Sequence, residues 1–341
     1  MSHQVKGFSC AVALAGLLAC GGQTSTPTAP SPAPSPTPQP GTANCSATSV
    51  NLTPLSDLMS GTYKGEPGGL YPGRTNSHPN YDAGLKIAQG IGPRDATGTP
   101  DPNGHYAFVS IGMSNTTMEF SVFKPMADRE PGKHPRLAIV DGAQGGQTAA
   151  IWSSRPFTDV PWSVLDTRLA QAGITAQQVA VVWLKQADAN PTSAWPAYAQ
   201  TLRNEIVVML QMLKQHFPNL QIAYLSSRIY AGYASSTLNP EPYAYESAFS
   251  VRWVIEEQMR GSPSLNYDPA SGTVNAPWVS WGPYLWTDGT KGRSDGLTWS
   301  CSDVRSNDGT HPSDSGSQKV AQMLLDFIRT DGTARAWFSG G

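Results

Sequence analysis

Tyr106-Ala-Phe-Val-Ser-Ile-Gly-Met-Ser114 is the stretch on which the fold turns. Tyr106–Ile111 is a short, nearly continuous apolar run, the pattern of a strand buried on both faces. A glycine and a serine follow at once. Working outward, the same kind of run recurs at Leu137–Val140, Val179–Leu184 and Leu220–Leu225, and Val279 with Trp281 marks a fifth. Between these runs, apolar residues recur at helical spacing. Leu202, Ile206, Met209, Leu210 and Leu213 predict a helix over 197–216, stopped by Pro218 and Asn219. Stretches 245–259 and 314–328 are further amphipathic helices, the latter behind a Ser/Asp cap. Alternating strand and helix signals predict an α/β fold of three layers, α/β/α, around a central, mostly parallel sheet of about five strands. Ligands of such sheets bind beyond the carboxyl ends of the strands, so the residues after each run carry the functional reading.

Upstream of the first run, 51–104 is rich in Gly and Pro and reads as irregular chain wrapped over the surface. Before it comes a Ser/Thr/Pro tract with prolines at 27, 30, 32, 34, 36, 38 and 40. Such a tract buries no core and adopts extended polyproline II, a semi-rigid spacer of about 3 Å per residue. Residues 8–19 form an apolar stretch too short to span a bilayer, which needs about 20 apolar residues, and suited to a secretory signal. Leu17-Leu-Ala-Cys20 closes it and resembles the bacterial lipobox, which implies lipidation at Cys20. The chain therefore divides into a signal peptide (1–19), an anchor and linker (20–50) and one domain (51–341). The expected location is outside the cytoplasm, as a lipoprotein of the periplasm or cell surface. Gly21 after Cys20 favours the outer membrane. In that oxidising setting the two remaining cysteines, Cys45 and Cys301, form a candidate disulfide.

Composition narrows the function classes. Net charge is −2, only 14% of residues are charged, and no basic run occurs, so phosphate-driven binding to nucleic acid is excluded. Among His3, His78, His105, His134 and His216 no pair has the spacing or acidic neighbour of a metal site, so neither metal nor cofactor is expected. What remains after the strands is a different set: Ser114, Gly146, Gln186 with Asn190 behind it, and Asn307-Asp308-Gly-Thr-His311. A serine hydroxyl is a weak nucleophile that needs a histidine within about 3 Å, itself oriented by a carboxylate. Asp308 and His311, one turn apart, bring carboxylate and imidazole together without help from distant chain. A tetrahedral intermediate then needs N–H donors for its oxyanion. Each residue alone also reads as a turn, cap or solvated loop; their order after successive strands is what points to catalysis.

The ordered set, spanning Tyr106 to Arg329, resembles the SGNH (GDSL-type) hydrolase superfamily. Gly112-Met113-Ser114 matches its first block, with Met113 where many members carry Asp. Gly146 matches the glycine of the second block, and Asp308-x-x-His311 matches the last block in full. The third block departs: Trp183-Leu-Lys-Gln186-Ala-Asp-Ala-Asn190 is closer to the Trp-x-Gln-Gly-Glu-x-Asp pattern of carbohydrate and sialate acetylesterase branches, and Ser114-Asn115 is similar to their Gly-Gln-Ser-Asn motif. The resemblance implies a flavodoxin-like SGNH fold, a Ser114–His311–Asp308 triad, and oxyanion donors at Ser114, Gly146 and Gln186, with Asn190 in reserve. It implies an esterase for small acyl groups, acetyl foremost, on a small-molecule or glycan ester. Lipases, thioesterases and polyester esterases share the triad, and a non-catalytic surface binding lipoprotein is the alternative of a different class. Arg228 and Tyr230, after the fourth run, and Trp281, in the cluster Trp278, Trp281, Tyr284 and Trp286, are candidate substrate contacts.

Overall fold

A hairpin of β1 (Thr62–Tyr63) and β2 (Glu66–Pro67) precedes the five strands of the main sheet: β3 (Tyr106–Gly112), β4 (Leu137–Asp141), β5 (Val179–Lys185), β6 (Ile222–Ser226) and β7 (Trp278–Trp281). The computed structural model describes residues 41–339; the expected signal peptide, Cys20 and most of the linker lie outside the described residues. Every residue of β3, β5, β6 and β7 is buried, which is why their sequences show no alternation. All neighbours pair in parallel in the order β4-β3-β5-β6-β7. The order reverses direction between β3 and β5, and an α/β sheet opens its crevice at such a switch point, beyond the strand carboxyl ends. The five apolar runs are these five strands.

The helices are α1 (Tyr81–Gln89), α2 (Ser114–Asp128), α3 (Ala149–Ser154), α4 (Trp162–Gln171), α5 (Ala197–His216), α6 (Tyr243–Met259), α7 (Asp314–Thr330) and α8 (Gly332–Phe338). α2 packs on α7, α7 on α8 and α8 on α1; α3, α5 and α6 pack in turn as a second group. The result is the expected three-layer α/β/α arrangement. α5 has the bounds its spacing predicts, and Ser313 caps α7 by accepting from the Gly316 N–H. α1 lies where irregular chain was expected. Its central Gly84 explains the difference, since a Cβ there would lie 2.3 Å from the Trp278 ring. A residue that lowers helix propensity is what lets this helix approach β7.

The rest of the 51–104 segment does wrap the surface, and it closes an exposed sheet edge. The Trp281 N–H donates to Tyr71 Oη at 3.2 Å, and His78 Nε2 donates to the Val279 carbonyl at 3.2 Å. His78 Nδ1 accepts from the Asn80 N–H, which places the ring proton on Nε2. Gln258 Oε1 takes the Val279 N–H at 2.8 Å. Side chains thus satisfy the outer edge of β7, which would otherwise be a template for pairing with another chain.

Residues 41–50, assigned to the linker by composition, belong to the domain. Ala43 N–H donates to Ser306 O at 2.8 Å, Asn44 N–H to Tyr233 O at 2.9 Å, and Val50 N–H to Asp288 Oδ1 at 2.7 Å. Composition misses this because the bonds are made by main chain, which carries no sequence signal. Cys45 and Cys301 are joined across 256 residues with their Cα atoms 5.3 Å apart. Closing so long a loop stabilises mainly by restricting the unfolded chain, by about 2–4 kcal/mol. Replacing both cysteines by serine should therefore lower Tm by about 4–16 °C, at the 2–4 °C per kcal/mol expected of a large domain, as read by thermal unfolding in circular dichroism. An unchanged Tm would show that the link adds nothing to stability.

Candidate active site

Register builds the site. Gly112 at the end of β3 pairs with Lys185 at the end of β5, and Lys185 pairs with Ser226 at the end of β6. The loops that follow these strands therefore start side by side. Ser114 is the first residue of α2, reached from β3 through Met113 in extended conformation. As the first residue of a helix it has no intrahelical acceptor for its N–H.

The structure brings Ser114, His311 and Asp308 into one hydrogen-bonded line. Ser114 Oγ lies 2.8 Å from His311 Nε2, and His311 Nδ1 lies 2.8 Å from Asp308 Oδ2. The other carboxylate oxygen, Oδ1, accepts the N–H groups of Thr310 at 2.7 Å and His311 at 2.9 Å. Burial alone would push the Asp308 carboxyl up; these N–H bonds and the imidazole outweigh it and hold the group below the ordinary value. The anion so fixed requires Nδ1 to carry the proton, which leaves Nε2 free to accept from the serine. Gly309 makes the turn possible, with φ of +64° and a Cβ position only 2.0 Å from the Tyr233 carbonyl. The side chains of His311 and Asp308 are 18% and 17% exposed, so the line ends at the surface of a cavity and not inside the core.

That cavity, of about 90 Å³, is walled by Met113, Gly146, Thr148, Ala187, Asp188 and Leu238, with Arg228 and Asn239 also on its lining. Gly146 (φ +75°) lines the same cavity as Ser114. Among the described residues, neither the Ser114 nor the Gly146 N–H is taken by another main-chain group. Gln186 stands apart from them. Its side chain is buried, donates from Nε2 to the Gln147 carbonyl at 3.3 Å, and is not on the cavity lining. Asn190 is also elsewhere: its Oδ1 accepts from Thr237 Oγ1 at 2.6 Å, and its N–H bonds Leu238 O. It ties together the loops after β5 and β6.

Two of the expected substrate contacts are core residues. Tyr230 is fully buried and donates to the Ala47 carbonyl at 2.7 Å, held by the N-terminal segment that composition placed in the linker. Trp281 is 3% exposed, its indole N–H spent on Leu70 O, with Tyr284 against its ring. Trp278 and Trp286 are equally buried, so the aromatic cluster packs the β7 side of the sheet and forms no wall of the cavity. Arg228 does reach the lining, but 1% exposed and donating from Nη2 to Thr310 O.

Sequence reasoning missed the charges beneath the site. Glu119 of α2 and Lys185 of β5 are both fully buried, with Lys185 Nζ 2.5 and 2.6 Å from the two carboxylate oxygens. Burial pushes the Glu119 carboxyl up and the Lys185 ammonium down to about 8, each against the pull of the other. The available signal was a lysine ending an otherwise apolar strand, which a buried position tolerates only with a partner. Among the described residues no group of three or more His, Cys, Asp or Glu is placed to hold a metal ion.

No protein-family model matches the chain, and no curated protein aligns with it. Solved structures do align. One is a Bacillus subtilis protein at 9% identity and TM-score 0.37, over 69% of this chain and 59% of that one. This chain thus spans less than two thirds of that protein's length. A carbohydrate esterase family 3 structure from Talaromyces cellulolyticus aligns at 12% identity and TM-score 0.36, over 66% of this chain and 97% of that one. The periplasmic domain of a lipopolysaccharide acetyltransferase from Salmonella ser. Paratyphi A aligns at 11% identity and TM-score 0.34, over 74% and 97%.

Removing one member of the buried pair strands the other charge. Glu119→Leu should cost about 3–5 kcal/mol in urea unfolding at pH 7, and adding Lys185→Met should restore much of the loss. A double variant as unstable as the sum of two single losses would mean that the two charges do not support each other.

Proposed function

We propose that the chain is a serine hydrolase that removes short acyl groups, acetyl first, from carboxylic esters. The observation that carries this reading is the unbroken Asp308–His311–Ser114 line opening into a small cavity. Ser114 Oγ attacks the ester carbonyl as its proton passes to His311 Nε2, and Asp308 stabilises the imidazolium that forms. The N–H groups of Ser114 and Gly146 receive the oxyanion, aided by the positive end of α2. His311 then protonates the leaving alcohol. Water, deprotonated by the same imidazole, releases the acid from the acyl-enzyme.

Cavity size is compatible with a short acyl group: about 90 Å³ bounded by Met113, Ala187 and Leu238 accommodates an acetyl methyl. The polar part of the lining, Thr148 and Asp188, suits a hydroxylated leaving group, so the esters proposed are acetylated carbohydrates. Export and anchoring through Cys20 are part of this proposal, supported by the sequence of residues 1–40.

Ser114→Ala, folded by circular dichroism, should release no p-nitrophenol from p-nitrophenyl acetate and take no label from a fluorophosphonate probe. Wild type should favour acetate over long-chain esters and free acetate from an acetylated glycan. Turnover retained by the alanine variant would sink the mechanism.

A further inference from the structure

Thr310 lies inside the turn that carries the Asp308–His311 pair. Its carbonyl oxygen accepts two side-chain donors from outside that turn: Asn115 Nδ2 at 3.1 Å and Arg228 Nη2 at 3.3 Å. Asn115 is the residue next to Ser114 on α2 and is 2% exposed; Arg228 follows β6 and is 1% exposed. Neither end of the Asn115 amide is interchangeable here, because a carbonyl accepts only from the NH₂. Thr310 is also fixed by its own groups. Its N–H goes to Asp308 Oδ1, and its hydroxyl lies 2.8 Å from Ser236 Oγ.

We infer that Asn115 and Arg228 are positioning residues, which through the Thr310 carbonyl lock the turn bearing His311 onto the helix bearing Ser114. The inference rests on the proposed serine-hydrolase reading. Ser114 and His311 meet across 197 residues, and His311 sits on a turn with no helix or strand of its own. The distance between nucleophile and base is then only as well defined as the bonds that tie that turn to α2. Asn115 makes such a bond from the position beside the nucleophile, and Arg228 makes a second from the loop after β6. Two charged or polar side chains withdrawn from water to serve one carbonyl are costly unless the position of that carbonyl matters. A displacement of about 1 Å between reacting groups costs on the order of 100-fold in rate, which is the scale at stake.

A substrate-binding role for Arg228 gives a different signature, because its loss would raise KM and spare kcat. The test uses the full chain with Asn115→Ala, Asn115→Asp, Arg228→Lys and Arg228→Met, assayed on p-nitrophenyl acetate, with ¹⁵N NMR of the His311 ring in parallel. Asn115→Ala and Arg228→Met should lower kcat about 10–100-fold with KM within about twofold, and the His311 ring should move from one set of resonances to several. Asn115→Asp, of the same shape but with a carboxylate facing the carbonyl, should do worse than alanine. Arg228→Lys should recover part of the rate lost in Arg228→Met. An Asn115→Ala protein with wild-type kcat, KM and His311 resonances overturns the inference, as does an Arg228→Met effect confined to KM. If Asn115→Ala fails to fold, the smaller polar change Asn115→Ser and the charge-keeping Arg228→Lys are read in the same way. Should wild type hydrolyse no ester, the function reading fails alone, and the NMR comparison still decides whether the two residues hold the turn.

Discussion

The parallel ladder that aligns Gly112, Lys185 and Ser226 at the carboxyl edge of the sheet is the constraint from which the site follows. Parallel strands leave a sheet on the same side, so every loop after a strand emerges at one edge. With β3 and β5 adjacent at the switch point, the loops after them cannot avoid each other. Ser114 comes from the first, Ala187 and Asp188 from the second, Gly146 from the loop after β4, and the β6 loop adds Arg228, Leu238 and Asn239. Nothing in these segments is close in sequence. Only the Asp308–His311 turn is local, and it enters the same edge just ahead of α7.

Those loops have to be held against one another, and polar groups do the holding. Asn190 and Asn239 join the loop after β5 to the loop after β6, through Leu238 O, Thr237 Oγ1 and Asp188 O. Ser235 N–H reaches Asp308 O, and Gly41 O accepts from Ser235 Oγ, so the N-terminal segment braces the turn from outside. Below them Thr116 Oγ1 donates to the Lys185 carbonyl while the Lys185 ammonium meets Glu119, fastening α2 to β5 twice. An apolar contact would pack as tightly but would not fix orientation. The directional bonds define where α2 begins, and α2 begins with Ser114.

How much of this was legible in the sequence depends on the signal each element leaves. The five strands were legible because burial on both faces makes them continuously apolar, and α5 because one face is apolar and the other wet. α2 was not: its buried face mixes Asn115, Thr116 and Glu119 with Phe120 and Phe123, and Pro125 interrupts it, so no clean stripe shows. The same polar residues that hide the helix tie it to β5 and to the Thr310 carbonyl. Ser114, Gly146, Asp308 and His311 stood out because a serine-hydrolase site demands those residue types after successive strands, and the structure places Ser114, Gly146 and His311 on one cavity with Asp308 behind the imidazole. Gln186 rested on a motif resemblance, Tyr230 on its place after a strand and Trp281 on an aromatic cluster, and none of these signals reports which way a side chain points.

Arg228 shows the limit most clearly. It follows β6 and lies on the cavity lining, yet its chemistry differs from that of a surface guanidinium. Burial pulls its pKa down, against the opposing pull of the Glu119, Glu241 and Asp308 carboxylates. Sequence spacing reports which loop a residue joins; it does not report whether the side chain faces substrate or protein. Here two of the three substrate contacts expected from position, Tyr230 and Trp281, face protein, and the third spends a donor on the turn that carries His311. The aromatic residues that suggested a binding wall instead fill the flank of β7, where a mixed seal of Tyr71, His78 and Gln258 closes the sheet edge. What remains on the cavity wall is a short set, Met113, Thr148, Ala187, Asp188 and Leu238, so under the proposed esterase reading selection rests on the room left for the acyl group more than on contacts to it.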